Sequence, residues 1–152
     1  MVTLEEARAV AAAVPDPELP MVTLGDLGIL REVRHAPGGG IEVVITPTYS
    51  GCPAMDAIRD DLRRALPGAV VTTVLSPPWT TDWITEEGRG KLREHGISPP
   101  GRAAAVPVTL GVRCPQCGSP GTRLVSRYGS TACKAHYACS DCLEPFEHLK
   151  EL

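Results

Sequence analysis

Two Cys-x-x-Cys pairs mark the end of the chain, CPQCG at 114–118 and CSDC at 139–142. They constrain folding more than any other feature, because residues 113–152 are too few to be held by a hydrophobic core alone. A two-residue gap lets both thiolates of a pair reach one ion, and a second pair completes a tetrahedron. Pro115 and Gly118 suit the tight turn that aims backbone amides at the sulfurs. Between the pairs, TRLVSRY and TACKAHYA alternate as short hairpin strands do. The spacing predicts a small C-terminal four-cysteine zinc ribbon, with Cys114, Cys117, Cys139 and Cys142 as metal ligands and zinc as structural cofactor. A rubredoxin-like iron site would use the same ligands. A dithiol redox motif would follow a strand and precede a helix, which neither pair does. Four thiolates fill the shell, so His136 and His148 read as surface or packed side chains.

Composition limits what the rest can be. The chain has 152 residues, 43% of them hydrophobic, and a net charge of −3. That balance disfavours nucleic-acid binding, which needs concentrated Lys and Arg. No apolar run reaches the ~20 residues of a membrane span. The start, MVTLEEARAVAAAV, carries Glu5 and Glu6 where an export signal needs positive charge. It reads as an amphipathic helix of a cytoplasmic protein, and in that compartment six cysteines favour metal or redox chemistry over disulfides.

The front part, 1–97, alternates helix and strand patterns. A helix is expected over roughly 3–13, with Leu4, Ala7, Val10, Ala11 and Val14 on one face. Pro15, Pro17 and Pro20 end it. Strands follow at 29–35 and 41–47, joined by the hairpin loop PGGG. PAMDAIRDDLRRAL predicts a helix over 53–66 with Pro53 in its first position and Ala54, Ala57, Ile58, Leu62, Ala65 and Leu66 as the buried stripe. A third strand at 69–75 and a last helix near 85–95 complete the order α-β-β-α-β with a closing helix. This predicts an α+β fold, a compact two-layer domain over 1–97. Residues 98–112 read as a linker with an approach strand, and the ribbon occupies 113–152.

Cys52 and Cys133 lie outside the two pairs. Cys133 reads as a small buried hydrophobe. Cys52, in YSGCPAMD, sits beside the expected helix start, where free amides and the helix dipole lower a thiol's pKa. Thr46, Thr48, Tyr49 and Ser50 add hydroxyls at the same end. A packed thiol, a reactive thiol and a metal ligand all remain open at this point. No histidine is placed near it by local sequence. Asp16 reads as a turn or cap residue, Glu18 as solvated, and Asp26 as a turn former ahead of Gly28. Trp79 and Trp83 serve either packing or a partner surface.

DPELPMVTLGDLGILREV (16–33) followed by TPTYSGCPAMDAI (46–58) resembles the metal–sulfur cluster assembly domain family, whose landmarks are DPE, DLG and the GCP turn. PPWTTDWITEEGRGKLREHGISPP and the ribbon segment SRYGSTACKAHY narrow the resemblance to the family of small accessory D components of the bacterial ring-1,2-phenylacetyl-CoA epoxidase system. The resemblance implies an iron–sulfur-assembly type domain and a role in aerobic phenylacetate catabolism, in which the chain helps to assemble or maintain an iron or iron–sulfur centre. It implies that Cys52 is the ligand for a transient iron or iron–sulfur cargo, with Glu18 and Asp26 from DPE and DLG as further site residues. The implied partners are the other subunits of that system, with room for a homodimer, and no enzyme activity of the chain alone. The tail EPFEHLKEL departs from the aromatic-rich ending of that family at Leu149, which reads as a packing change. A purely structural subunit of the oxygenase is the rival expectation, and an enzyme with Cys52 as nucleophile is a third.

Overall fold

The computed structural model describes residues 1–49, 51–101 and 111–150. The chain divides into two compact units, and the division falls between Gly88 and Arg89. The expected linker lies largely at 102–110, outside the described residues, as does Ser50.

The first unit begins with α1 (Leu4–Ala12). Thr3 and Glu6 close a capping box at its start, with the Thr3 hydroxyl accepting from the Glu6 N–H at 3.1 Å and the Thr3 N–H donating to Glu6 at 2.8 Å. A short helix, α2 (Leu24–Leu27), stands where the sequence suggested a turn. It forms because Thr23 and Asp26 make the same reciprocal cap. Gly28 ends α2 at φ 72°, and a Cβ there would stand 2.7 Å from the Trp83 Cβ, so both conformation and space require glycine.

Three strands follow: β1 (Leu30–His35), β2 (Ile41–Ile45) and β3 (Val70–Thr73). β1 pairs antiparallel with β2, and β2 parallel with β3, so β2 is central in the order β1-β2-β3. Its run IEVVI is apolar because Val43, Val44 and Ile45 are all buried. Between β2 and β3 lies α3 (Met55–Ala65); of the expected stripe, Ala54, Ile58, Leu62 and Leu66 are buried, whereas Ala57 and Ala65 are exposed and Met55 is buried instead. Helices α1 and α3 touch each other and lie against the sheet, giving the two-layer α+β arrangement. Trp79 is buried, its indole N–H donating to the Leu27 carbonyl at 2.7 Å, and the Arg31 guanidinium lies 3.8 Å from the centre of the Trp83 ring.

The division between units falls inside α4 (Glu86–Glu94). The second unit holds β4 (Ile97–Ser98), β5 (Thr122–Ser126), β6 (Lys134–Cys139) and β7 (Pro145–Leu149) in the order β4-β7-β6-β5. Ile97 and Ser98 pair with β7, so the sheet recruits them from ahead of the first cysteine pair. Among the described residues, one buried cluster joins Cys114, Cys139 and Phe146, with Val112 and Tyr137 packed on it, and Leu92, Ile97, Ala135 and Leu149 are buried besides. Tyr137 stacks on Phe146 at 5.9 Å and meets His148 edge-on at 5.5 Å. Leu149 is buried.

Candidate metal centre

The two knuckles bring the sulfurs of Cys114, Cys117, Cys139 and Cys142 within 4.8 Å of one another. The Cys114–Cys142 separation is 3.7 Å and the Cys117–Cys139 separation 3.6 Å. A tetrahedral ion with metal–sulfur bonds of about 2.3 Å spaces its sulfurs about 3.8 Å apart, so the donor set fits such an ion in number, chemistry and span. Each turn is tied locally. The Gln116 N–H donates to the Cys114 sulfur at 3.4 Å, and the Gly118 N–H donates to the Cys114 carbonyl at 2.9 Å. Ser119 joins the knuckles by donating to Asp141 while accepting from the Gly121 N–H. These second-layer bonds orient the ligands toward a common centre.

The thiols are electrically unequal. N–H donation from Cys142, with further help from Asp141, brings Cys139 down to about 7. At Cys142 the Glu144 amide pulls downward, but burial and the neighbouring thiols prevail and push it up to about 12. Four adjacent sulfurs cannot all ionise without a cation to share, and metal binding releases their protons.

The residue after each knuckle's second cysteine adopts left-handed backbone geometry, Gly118 at φ 76° and Leu143 at φ 65°. Glycine does so freely, whereas a side chain there costs about 1 kcal/mol. Leu143 is also 78% exposed, so packing does not offset the cost. The sequence gives no hint of this, because the geometry comes from the knuckle.

The remaining residues singled out from the sequence lie elsewhere. Neither His136, which is exposed, nor His148, which is buried with Nδ1 3.0 Å from the Ser98 carbonyl, belongs to the four-sulfur group. Cys133 is buried, with its sulfur 3.0 Å from the Thr131 hydroxyl.

Cys52 stands apart from the four-sulfur group, in the first unit. Helix α3 begins at Met55 rather than Pro53, so Cys52 precedes it within a separate turn that takes the Cys52 N–H to Tyr49 and the Met55 N–H to Cys52. Gly51 supplies the positive φ of 84° that this turn needs. The thiol opens on a groove of about 600 Å³ whose walls include Pro47, Met55, Arg59, Thr73 and Leu75. Arg59 is held there by Asp56 at 2.8 Å and the Thr73 hydroxyl at 3.0 Å, a constraint that its place on a solvated helix face concealed.

The expected lowering of the Cys52 pKa is reversed. Burial raises it most, and the nearby Glu18 and Asp16 carboxylates raise it further. The Ala54 N–H and the Thr48 hydroxyl pull the other way without prevailing. Ala54 is the N-cap residue of α3, so the helix start does lower the pKa through that N–H, but burial outweighs it. Glu18 comes near because Asp16 organises the DPEL turn, accepting the Glu18 N–H at 2.9 Å and the Leu19 N–H at 2.8 Å. Asp26 is buried in the cap of α2, where it accepts the Thr23 N–H at 3.0 Å.

Two family profiles match the chain: an iron-sulfur cluster assembly protein over residues 4–75, and a PaaD zinc beta ribbon domain over residues 98–150. Among known proteins, one of Escherichia coli (strain K12), named as the D component of 1,2-phenylacetyl-CoA epoxidase, is 45% identical over 153 residues, 97% of this chain and 92% of that protein. A Fe-S protein maturation auxiliary factor of Porphyromonas gingivalis (strain ATCC BAA-308 / W83) is 32% identical, covering 59% of this chain and 90% of that one. Another of that name from Bacillus subtilis (strain 168) is 35% identical over 45% of this chain and 72% of its own.

Proposed function

The chain belongs to the family of phenylacetyl-CoA epoxidase D components, and from that premise we propose that it is a cytoplasmic accessory protein of the epoxidase system which assembles or maintains an iron or iron–sulfur centre. In this reading the two kinds of cysteine do different work. The four ribbon thiols hold zinc permanently and tie the two knuckles of the second unit together. Cys52 handles the cargo, and the other subunits of the system are its partners.

The observation that carries the reading is the place of Cys52: outside the four-thiol group, on an open groove, with carboxylates nearby. A raised thiol keeps its proton at neutral pH and is a poor nucleophile. A thiophilic ion displaces that proton, and the Glu18 and Asp16 charges favour a cation's approach. Soft thiolate suits iron in clusters. One thiolate does not hold a cluster alone, so the client protein or a second copy supplies the remaining ligands. Glu18 shapes the electrostatics at the sulfur, and Asp26 holds the α2 turn as part of the frame.

The test is anaerobic reconstitution with iron and sulfide, comparing the wild-type chain with Cys52→Ser. The variant is expected to keep its zinc, lose the added iron, and fail to activate the epoxidase. Equal iron uptake and equal activation by the variant would sink the proposal. A second reading, a structural subunit that only scaffolds the oxygenase, draws on the raised Cys52 pKa, since a protonated, half-buried thiol also suits simple packing. It predicts stoichiometric co-purification and indifference to Cys52→Ala.

A further inference from the structure

Strand β5 lies at the end of its sheet and, among the described residues, pairs only with β6. Strand and following turn read TRLVSRY, and they expose apolar side chains that a lone domain would cover: Leu124 at 46%, Val125 at 57% and Tyr128 at 72%. Arg123 and Arg127 are interleaved with them and exposed, and among the described residues neither guanidinium has an ion pair. Lys150 adds a third cation, its ammonium 5.3 Å from the centre of the Tyr128 ring and donating to the Arg127 carbonyl. Glu147, a carboxylate of the same sheet, is already engaged by the Ser130 N–H and hydroxyl. A chain of net charge −3 therefore gathers, among the described residues, a positive rim around an apolar centre.

We propose that this edge docks another subunit of the epoxidase system, through an apolar recess on that subunit bordered by carboxylates. The identity of the partner rests on the functional reading above; its chemistry rests on the edge itself. Exposed apolar side chains ringed by polar groups mark interaction sites, and opposite charges at the rim steer encounter and set register. The contact is made by side chains rather than by strand addition, because β5 carries a bulge between Leu124 and Ser126 that interrupts its ladder. Nucleic acid fits less well: a neighbouring aliphatic pair offers nothing to phosphate, and a single exposed ring is a poor stacking platform.

The full-length zinc-loaded chain is titrated against the purified remaining subunits, with three variants alongside: Arg123→Glu/Arg127→Glu, Val125→Asp and Cys52→Ser. Binding is expected to fall roughly tenfold or more in the first two, as for loss of a central contact. It should also weaken in wild type as salt rises to ~1 M, where the screening length falls to about 3 Å. Zinc content stays unchanged in every variant. Cys52→Ser should bind as wild type does, so a failure of docking and a failure of the cargo reading are told apart. Undiminished binding by both edge variants overturns the inference, as does the absence of any wild-type complex. It is equally overturned if the edge substitutions abolish instead binding to a single-stranded oligonucleotide, or self-association of the chain.

Discussion

The four ribbon cysteines and Cys52 are the same chemical group in opposite circumstances. In the ribbon, sulfurs crowd within 4.8 Å, backbone amides point at them, and Phe146 and Tyr137 pack beside them. At Cys52 the surroundings are a complete sheet-and-helix core, and carboxylates rather than other thiols are the charged neighbours. The first arrangement offers four thiolates to one cation. The second leaves its sulfur open on a groove. Spacing within the chain makes this difference: a two-residue gap produces a chelating pair, while a single cysteine in a turn produces a lone thiol.

The largest effect should come from breaking the chelate. Stripping the metal or introducing Cys139→Ser is expected to unfold the second unit, since structural zinc contributes on the order of 10 kcal/mol. NMR should show collapsed dispersion for β5 to β7 while the helical signals of α1 and α3 persist. Protons compete with the ion for the thiolates, so metal should be lost as pH falls, but only well below the metal-free Cys139 value of about 7, because a bound ion keeps the sulfurs ionised. Zinc release against pH, followed with a chelating dye, checks the sign.

Ile45→Ala sharpens the same contrast from the other unit. Ile45 is wholly buried in β2, and its truncation should cost about 2–5 kcal/mol in denaturant unfolding. Zinc stoichiometry should not change. Leu143→Gly is expected to stabilise the metal-bound ribbon by about 1 kcal/mol by relieving a left-handed side chain, read as slower zinc loss to a chelator. Cys52→Ser should alter unfolding by only about 0.5 kcal/mol, the range of substitutions outside the core. Alkylation of the Cys52 thiol in the wild-type chain should be slow at neutral pH and accelerate only above the ordinary thiol range, because burial and the carboxylates disfavour the thiolate.

Much of this was legible in the residues. The C-x-x-C spacing announced the chelate, because ligand reach depends on a local turn. The apolar run of β2 and the GG loop before it announced a hairpin with a buried central strand. What escaped depends on geometry that distant residues impose. Pro53 suits a first helical position, yet the Tyr49–Cys52 and Cys52–Met55 turn bonds delay α3 to Met55. Burial then outweighs what the Ala54 N–H at the helix start contributes at Cys52, and the DPEL turn adds carboxylates of the same upward influence. Asp26 looked like a turn former, although the Thr-x-x-Asp spacing with Thr23 carried a capping signal. Arg59 and Leu143 gave no local sign, since one is fixed by a threonine on β3 and the other by the knuckle.

The central claim is that the thiols are divided between a permanent structural ion and a transient cargo. Its most direct test is metal analysis of the wild-type chain and Cys52→Ser, each reconstituted anaerobically with iron and sulfide. The account predicts one tightly held zinc in both proteins, with additional iron in the wild type alone. Equal iron in both, or loss of zinc on replacing Cys52, would contradict it.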